Sequence, residues 1–170
     1  QNIQVFKNMS LLENVMVGRY PRTHSGICSV ALRLPYSKRE EKKIYEDSLI
    51  KLQLVGLDKK SHELARNLSY GEQKILEVAR ALNTDPQLLL LDEPASGLNE
   101  QETQEMANLI LKIKGMGINV LLVAHDMSLV MKISDEIVVL NLGEKIAEGT
   151  PLQVRQNPFV IEAYLGREDA

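Results

Sequence analysis

The sequence predicts an α/β fold in which a parallel sheet is flanked by helices and preceded by a mainly helical segment. Three observations carry this. Leu88-Leu89-Leu90-Leu91 is a short aliphatic run ending in Asp92-Glu93, with Asp85-Pro86 before it and Pro94 after it, and it reads as a buried strand. A second apolar run, from Ile118 to Ala124, ends in His125-Asp126. Between and around these runs lie helical signals, and strands alternating with helices are the pattern of a parallel sheet.

Local signals mark each element in turn. Ser10-Leu11-Leu12-Glu13 has capping-box spacing, as does Ser37-Lys38-Arg39-Glu40, so each predicts a helix start. The helix after Ser37 keeps Ile44, Leu49, Ile50, Leu52 and Leu54 for burial, and Gly56 ends it. Between the two, His24 to Leu34 is expected to form a short helix before Pro35. The charge run from Lys38 to Lys43 reads as a solvated helix face. Ser69 and Glu72 repeat the box spacing and open a helix that buries Ile75, Leu76, Val78, Ala79 and Leu82. Strand 87–92 comes next. Asn99 and Glu102 open another helix, which runs to about Lys114, and Gly115 and Gly117 break it before strand 118–124. A short helix is expected after Asp126. Residues 136–140 and 145–147 read as a hairpin around Asn141-Leu142-Gly143-Glu144. Thr150-Pro151-Leu152-Gln153 and Asn157-Pro158 start the last two helices, with Gly166 after them. The change of character near residue 67 suggests two parts, 1–67 and 68–170.

Composition narrows the function. A chain of 170 residues is long enough for a domain with its own core. A net charge of −3 gives no electrostatic footprint for nucleic acid, which is not expected as a partner. The single cysteine, Cys28, excludes an internal disulfide and a cysteine-rich metal site. No apolar run approaches the roughly 18 residues of a membrane span, so direct membrane insertion is not expected.

The chemistry concentrates in a few places. Adjacent carboxylates at the end of a core strand suit nucleotide hydrolysis, because one acid can hold Mg²⁺ while the next polarises a water. A strand that merely ends in acids is the plainer reading. Ser69 and Gly71 stand at a predicted helix N-terminus, where free N–H groups attract anions, although most Ser-x-x-Glu matches are plain caps. A histidine after a strand is usually structural, and this applies to His125 as well. His24 and His62 receive no role.

Taken together, these residues resemble the ATP-binding subunit of an ABC transporter. Leu68 to Glu72 is similar to the family's signature motif, Leu88 to Glu93 to its Walker B strand, Ser96 to Asn99 to its D-loop, and His125 to its switch histidine. The resemblance implies a partial RecA-like P-loop NTPase core plus an ABC-type α-helical subdomain, with ATP and Mg²⁺ as ligands. It implies that Glu93 is the general base, that Asp92 is associated with Mg²⁺, and that His125 contacts the γ-phosphate. Ser69, Gly71 and Glu72 would close over ATP held by a second ATPase subunit in a head-to-tail dimer. Gln1 looks like the glutamine of the Q-loop, touching Mg²⁺ and water. Phe6, Met9, Leu12, Glu13 and Asn14 resemble the family's residues just after that loop. Two residues depart from the common pattern: Tyr70 replaces a glycine, and Asn99 replaces the D-loop aspartate.

Ala95 to Asn99, the ending Asn157-Pro158 to Gly166, and the long segment 19–66 resemble the ATPases of branched-chain amino-acid importers. The implied partners are transmembrane permease subunits, with the protein peripheral on the cytoplasmic face of the plasma membrane. The surface of residues 2–36, with Ile3, Val5, Phe6, Met9 and Val17 on a helical segment, is the expected docking site. A lipopolysaccharide-export ATPase is a sister reading, and a non-catalytic permease- or subunit-binding module is the alternative.

No Gly-x-x-x-x-Gly-Lys-Ser/Thr loop occurs in the chain. The chain is therefore expected to be the later part of a longer subunit, inactive alone and weak in nucleotide binding. In the family, the strand leading into that loop lies between the strands read here at 118–124 and 136–140. These two strands are accordingly expected to shift together, exchange between subunits, or pair with another chain.

Overall fold

The computed structural model describes residues 3–23 and 35–165. Gln1, Gly166 and the helix expected between His24 and Leu34 lie outside the described residues. The chain divides into two compact units, Gln1–Val123 and Ala124–Ala170.

The first unit opens with α1, Leu11–Val17. Ser10 starts it as its sequence predicts: the Ser10 hydroxyl accepts the Glu13 N–H at 3.2 Å, and the Glu13 carboxylate accepts the Ser10 N–H at 2.7 Å. Residues 3–9 are not helical, contrary to the expectation for the segment carrying Ile3 to Met9. The buried Asn14 holds them instead. Its Oδ1 accepts the Phe6 N–H at 2.8 Å, and its Nδ2 donates to the Phe6 carbonyl at 3.1 Å.

Helix α2, Pro35–Leu54, begins two residues before Ser37. The Ser37 capping-box reading is thus corrected. A cap residue stands just outside the helical dihedrals, and Ser37 stands inside them. The far end behaves as read. Gly56 sits at φ +78°, its N–H donates to Gln53 O at 3.2 Å, and the Leu57 N–H reaches back to Leu52 O at 2.9 Å. That pair of bonds is the Schellman stop, which requires a left-handed residue. Ile44 and Leu52 are buried, Leu49 and Leu54 are half-buried, and Ile50 faces outward against expectation.

Helix α3, Tyr70–Leu82, packs on both α1 and α2, so the helical part and the first strand–helix part share one unit. Their common core includes Leu11, Val15, Leu52, Leu57, Leu76 and Ala79. Gly18 ends α1 directly against α3, where a Cβ would fall on the Arg80 carbonyl oxygen.

Strand β1, Leu88–Asp92, pairs in parallel with β2, Asn119–Val123, with Leu90 opposite Leu121. Helix α4, Glu100–Gly115, connects them and buries Met106, Ile110 and Ile113. The reading of β1 as buried needs correction. Leu89 is buried and Leu91 half-buried, but Leu88 and Leu90 are 52% and 65% exposed, and Leu121 and Val123 line the same open face. A continuous apolar run signals cover on both faces, and only one is covered within this unit.

In the second unit, Asp126 caps α5, Met127–Ile133. Strands β3, Ile137–Asn141, and β4, Glu144–Gly149, form the expected hairpin. Leu142 and Gly143 turn it with φ of +51° and +85°, the signs a two-residue type I′ turn requires. Thr150 caps α6, Pro151–Arg155, and α7 spans Pro158–Leu165. Ile137, Val139, Ala147, Val154 and Val160 make this unit's core. The described strands form two separate two-stranded sheets, β1–β2 and β3–β4. The expectation that strands 118–124 and 136–140 close up within one chain is therefore not met.

Candidate functional site

The signature segment enters α3 through its cap. Ser69 Oγ accepts the Glu72 N–H at 3.2 Å, and the Glu72 carboxylate accepts the Ser69 N–H at 3.0 Å. Lys60, on a 3₁₀ turn at Asp58–Lys60, adds an ion pair to Glu72 at 2.6 Å. Burial pushes the Glu72 carboxyl up, but the bonds from Lys60 and Ser69 outweigh it and leave the group below the usual glutamate range. A carboxylate in the first helical turn also suits the helix dipole.

The D-loop packs on this helix start. Asn99 caps α4 with Oδ1 accepting the Glu102 N–H at 2.9 Å, while the Glu102 carboxylate accepts the Asn99 N–H at 3.1 Å. Glu102 also lies against Gly71, where a Cβ would stand 2.6 Å from Oε1. A side chain at position 71 would displace the Glu102 carboxylate. Tyr70 covers Gly97 in the same way: a Cβ on Gly97, itself at φ +77°, would stand 3.2 Å from the Tyr70 ring. The departure from glycine at position 70 therefore supplies a contact between the signature segment and the D-loop.

Asp92 is exposed at the C-terminal end of β1, and Glu93 comes next, half-buried, with Pro94 buried behind. Glu93 has φ +51°, a left-handed conformation that a residue with a Cβ adopts only when its surroundings hold it there. Three bonds hold this backbone. The Glu93 N–H donates to Val123 O at 2.8 Å, and the Glu93 carbonyl accepts from Lys74 Nζ at 3.0 Å and from the Ser96 N–H at 3.1 Å. Lys74 is buried on α3, with its ammonium 5.5 Å from the centre of the Tyr70 ring. Burial pushes its pKa below the ordinary lysine range, against the opposing pull of the Glu77 and Glu93 carboxylates. Lys74 carries no motif that marks it in the sequence. The available signal is its place on the apolar face of α3, between the buried Gly71 and Val78.

A shallow open cleft runs along β1 between Leu89–Asp92 and the α3 residues Lys74, Glu77 and Val78. Among the described residues no group of three or more His, Cys, Asp or Glu converges as a metal cage. A single exposed carboxylate at Asp92 fits Mg²⁺, which keeps several waters and is commonly held by one carboxylate together with phosphate. Asp92, Glu93, Ser69, Gly71, Glu72 and Asn99 all belong to the first unit. His125 belongs to the second, exposed and directly before the α5 cap. That cap is Asp126, whose Oδ1 accepts Ser128 Oγ–H at 2.7 Å and the Ser128 and Leu129 N–H groups at 2.9 and 3.2 Å. Gln1 lies outside the described residues. Gln4, three residues on, is anchored to α3: its N–H donates to Glu77 at 2.7 Å and its carbonyl accepts from Arg80 at 2.7 Å.

Comparison with known proteins decides the family. The ABC transporter family model matches residues 1–96, more than half of the chain. The chain belongs to the ABC transporter ATP-binding family. A second family model, branched-chain amino acid ATP-binding cassette transporter, matches residues 144–170 of this ABC chain. It is 41% identical over 167 residues to LivG, a high-affinity branched-chain amino acid transport ATP-binding protein of Escherichia coli (strain K12). It is 42% identical over 167 residues to BraF, the protein of the same description from Pseudomonas aeruginosa. Each match covers 98% of this chain and 66% of the relative, so the chain spans about two thirds of their length. Among solved structures it resembles the ADP conformation of MJ1267, an ATP-binding cassette of an ABC transporter, with a TM-score of 0.76 and 29% identity over 94% of this chain and 64% of that one. A nucleotide-free ATP-binding cassette matches with a TM-score of 0.75 and 30% identity over the same shares. These neighbours agree with an α/β P-loop NTPase core. Among the described residues no helix is long and apolar enough to cross a membrane.

Proposed function

We propose that this chain is the signature and Walker B portion of the ATP-hydrolysing subunit of a bacterial ABC importer for branched-chain amino acids. The observation that carries the reading is the Asp92-Glu93 pair at the end of β1, with Glu93 fixed in a left-handed turn beside the signature helix. Two paired carboxylates of different exposure suit a division between metal association and proton transfer. Asp92, the exposed one, would hold Mg²⁺ through water. Glu93, the half-buried one, would take the proton of the attacking water at its carboxylate. Magnesium supplies charge neutralisation on the phosphates when bound. Ser69 and Gly71, at the start of a 13-residue helix, would present N–H groups to ATP carried by a second subunit. His125 would orient the water, and Gln1 would touch the metal and sense the permease. The names of LivG and BraF support the choice of branched-chain amino acids.

The permease is proposed to dock around residues 2–36, next to Phe6. This ring is 47% exposed and rests under the Arg80 guanidinium at 5.6 Å. Cross-links from a cysteine at position 6 or 9 to the permease are the expected result, and cross-links confined to residues 150–165 would contradict that docking face.

Reconstitution tests the whole reading. The full-length subunit, its permease and a substrate-binding protein in vesicles should hydrolyse ATP faster when leucine, isoleucine or valine is added. Stimulation by a lipopolysaccharide and not by these amino acids would assign the export role instead. Absence of any hydrolysis would favour a non-catalytic binding module.

A further inference from the structure

We propose that Lys74 is a positioning residue for Glu93: its buried ammonium fixes the Glu93 carbonyl, and with it the turned backbone that aims the carboxylate. The inference rests on the hydrolytic reading of Asp92 and Glu93 and adds a residue that reading does not use. Three observations carry it. Glu93 stands at φ +51°, a conformation disfavoured for a residue with a Cβ, so its surroundings must hold it. Its N–H is held by Val123 O at 2.8 Å, but β2 alone fixes only one side of the peptide plane pair. The other side, the carbonyl, accepts the Ser96 N–H of its own turn at 3.1 Å and, from the neighbouring helix, Lys74 Nζ at 3.0 Å, the charged one of the two donors.

The lysine itself is built in. It is 7% exposed, although lysine is seldom buried without a specific partner. The Tyr70 ring lies 5.5 Å from its ammonium, and the same ring covers Gly97. Tyr70 therefore shields the lysine at the point where the signature segment and the D-loop meet. A charged donor to a carbonyl is stronger than a neutral one, and the burial of the lysine raises the cost of losing that bond. A solubilising role does not fit a buried amine. A purely structural anchor would leave the direction of the Glu93 carboxylate unaffected by its removal.

The test combines kinetics and structure on the full-length ATPase. Lys74→Met keeps the apolar stem and removes the charge. It should lower kcat about 10- to 100-fold, the scale expected for a misplaced catalytic group. KM for ATP should stay within about twofold, because only a transition-state contact is lost. Lys74→Arg should restore most of kcat, since the guanidinium can donate to the same carbonyl. In a crystal structure of Lys74→Met, the Glu93 peptide should be turned away from φ +51° or divided between two orientations. A Glu93 backbone unchanged from wild type, or a kcat within about twofold of it, overturns the proposal. If wild type and Glu93→Gln show the same rate, the hydrolytic reading fails, and the Glu93 backbone in Lys74→Met alone decides this inference. Should Lys74→Met not fold, Lys74→Gln, with a shorter neutral donor, is judged by the same geometry and the same split between kcat and KM.

Discussion

Asn83 joins three helices by one side chain. It is fully buried at the end of α3, and its Nδ2 donates to Val15 O of α1 and to Ser48 Oγ of α2, both at 2.9 Å. Asn83→Ala should destabilise the protein by about 1–3 kcal/mol, because two buried acceptors lose their donor. Denaturant titration checks this, and a midpoint equal to wild type would contradict it. Two residues on, Asp85 pairs with Arg19, just past the end of α1, and, at 3.3 Å, with Lys51 of α2. Burial pushes its carboxyl up, but the two cations outweigh that and leave it below the ordinary aspartate value of 3.8. A carboxylate with a lowered folded pKa stabilises fully above its unfolded pKa and loses that contribution as pH falls through the folded value. Thermal melts should therefore show wild type losing stability below about pH 4 by more than Asp85→Asn does. Parallel loss in the two proteins would remove Asp85 from that role. Neither tie was legible in the sequence, because Asn83 and Asp85 reach partners between 34 and 68 positions away. The D-loop position was legible for a different reason. Asn99 and Glu102 satisfy each other locally, so their spacing sufficed.

At the level of the element, the same distinction recurs. The boxes at Ser10, Ser69, Asn99 and Thr150 all formed where their spacing placed them, since each needs only residues three apart. Ser37 lies inside α2, so it is not the residue at which the helix starts. Ser69→Ala should cost about 1 kcal/mol of stability through the lost α3 cap. It should also weaken dimer formation on ATP if the signature closes over nucleotide from a second subunit. A stability change with ATP-dependent dimerisation intact, read by light scattering, would leave Ser69 a plain cap. Lys74 shows why part of the site stayed hidden. A lysine on a helix is ordinarily exposed, and only the buried neighbours on both sides marked this one. In β1, four leucines in a row fixed the strand but not its cover, because alternation of faces is invisible when every residue is apolar.

On the scale of the whole molecule, one face of the β1–β2 sheet presents Leu88, Leu90, Leu121 and Val123 to solvent. A contiguous apolar strand face of this kind drives association. The 170-residue chain by itself should self-associate in light scattering, and a monomer at high concentration would contradict this. It should also bind Mg-ATP no tighter than about 100 μM by calorimetry, since its sequence holds no phosphate-cradling glycine loop. Low-micromolar affinity would show that the described residues suffice. The fold class was legible because the strand–helix alternation and the caps are local, whereas the division of the chain at Val123 depends on long-range packing that no motif encodes. The central claim is that Glu93 is the base of an ABC ATPase. Parallel measurement of ATP binding and turnover in the full-length Glu93→Gln protein tests it most directly. The amide keeps the shape but takes no proton, so turnover should fall by about 10²–10⁴ while ATP binding stays within a few-fold of wild type. Turnover within about threefold of wild type would contradict the account.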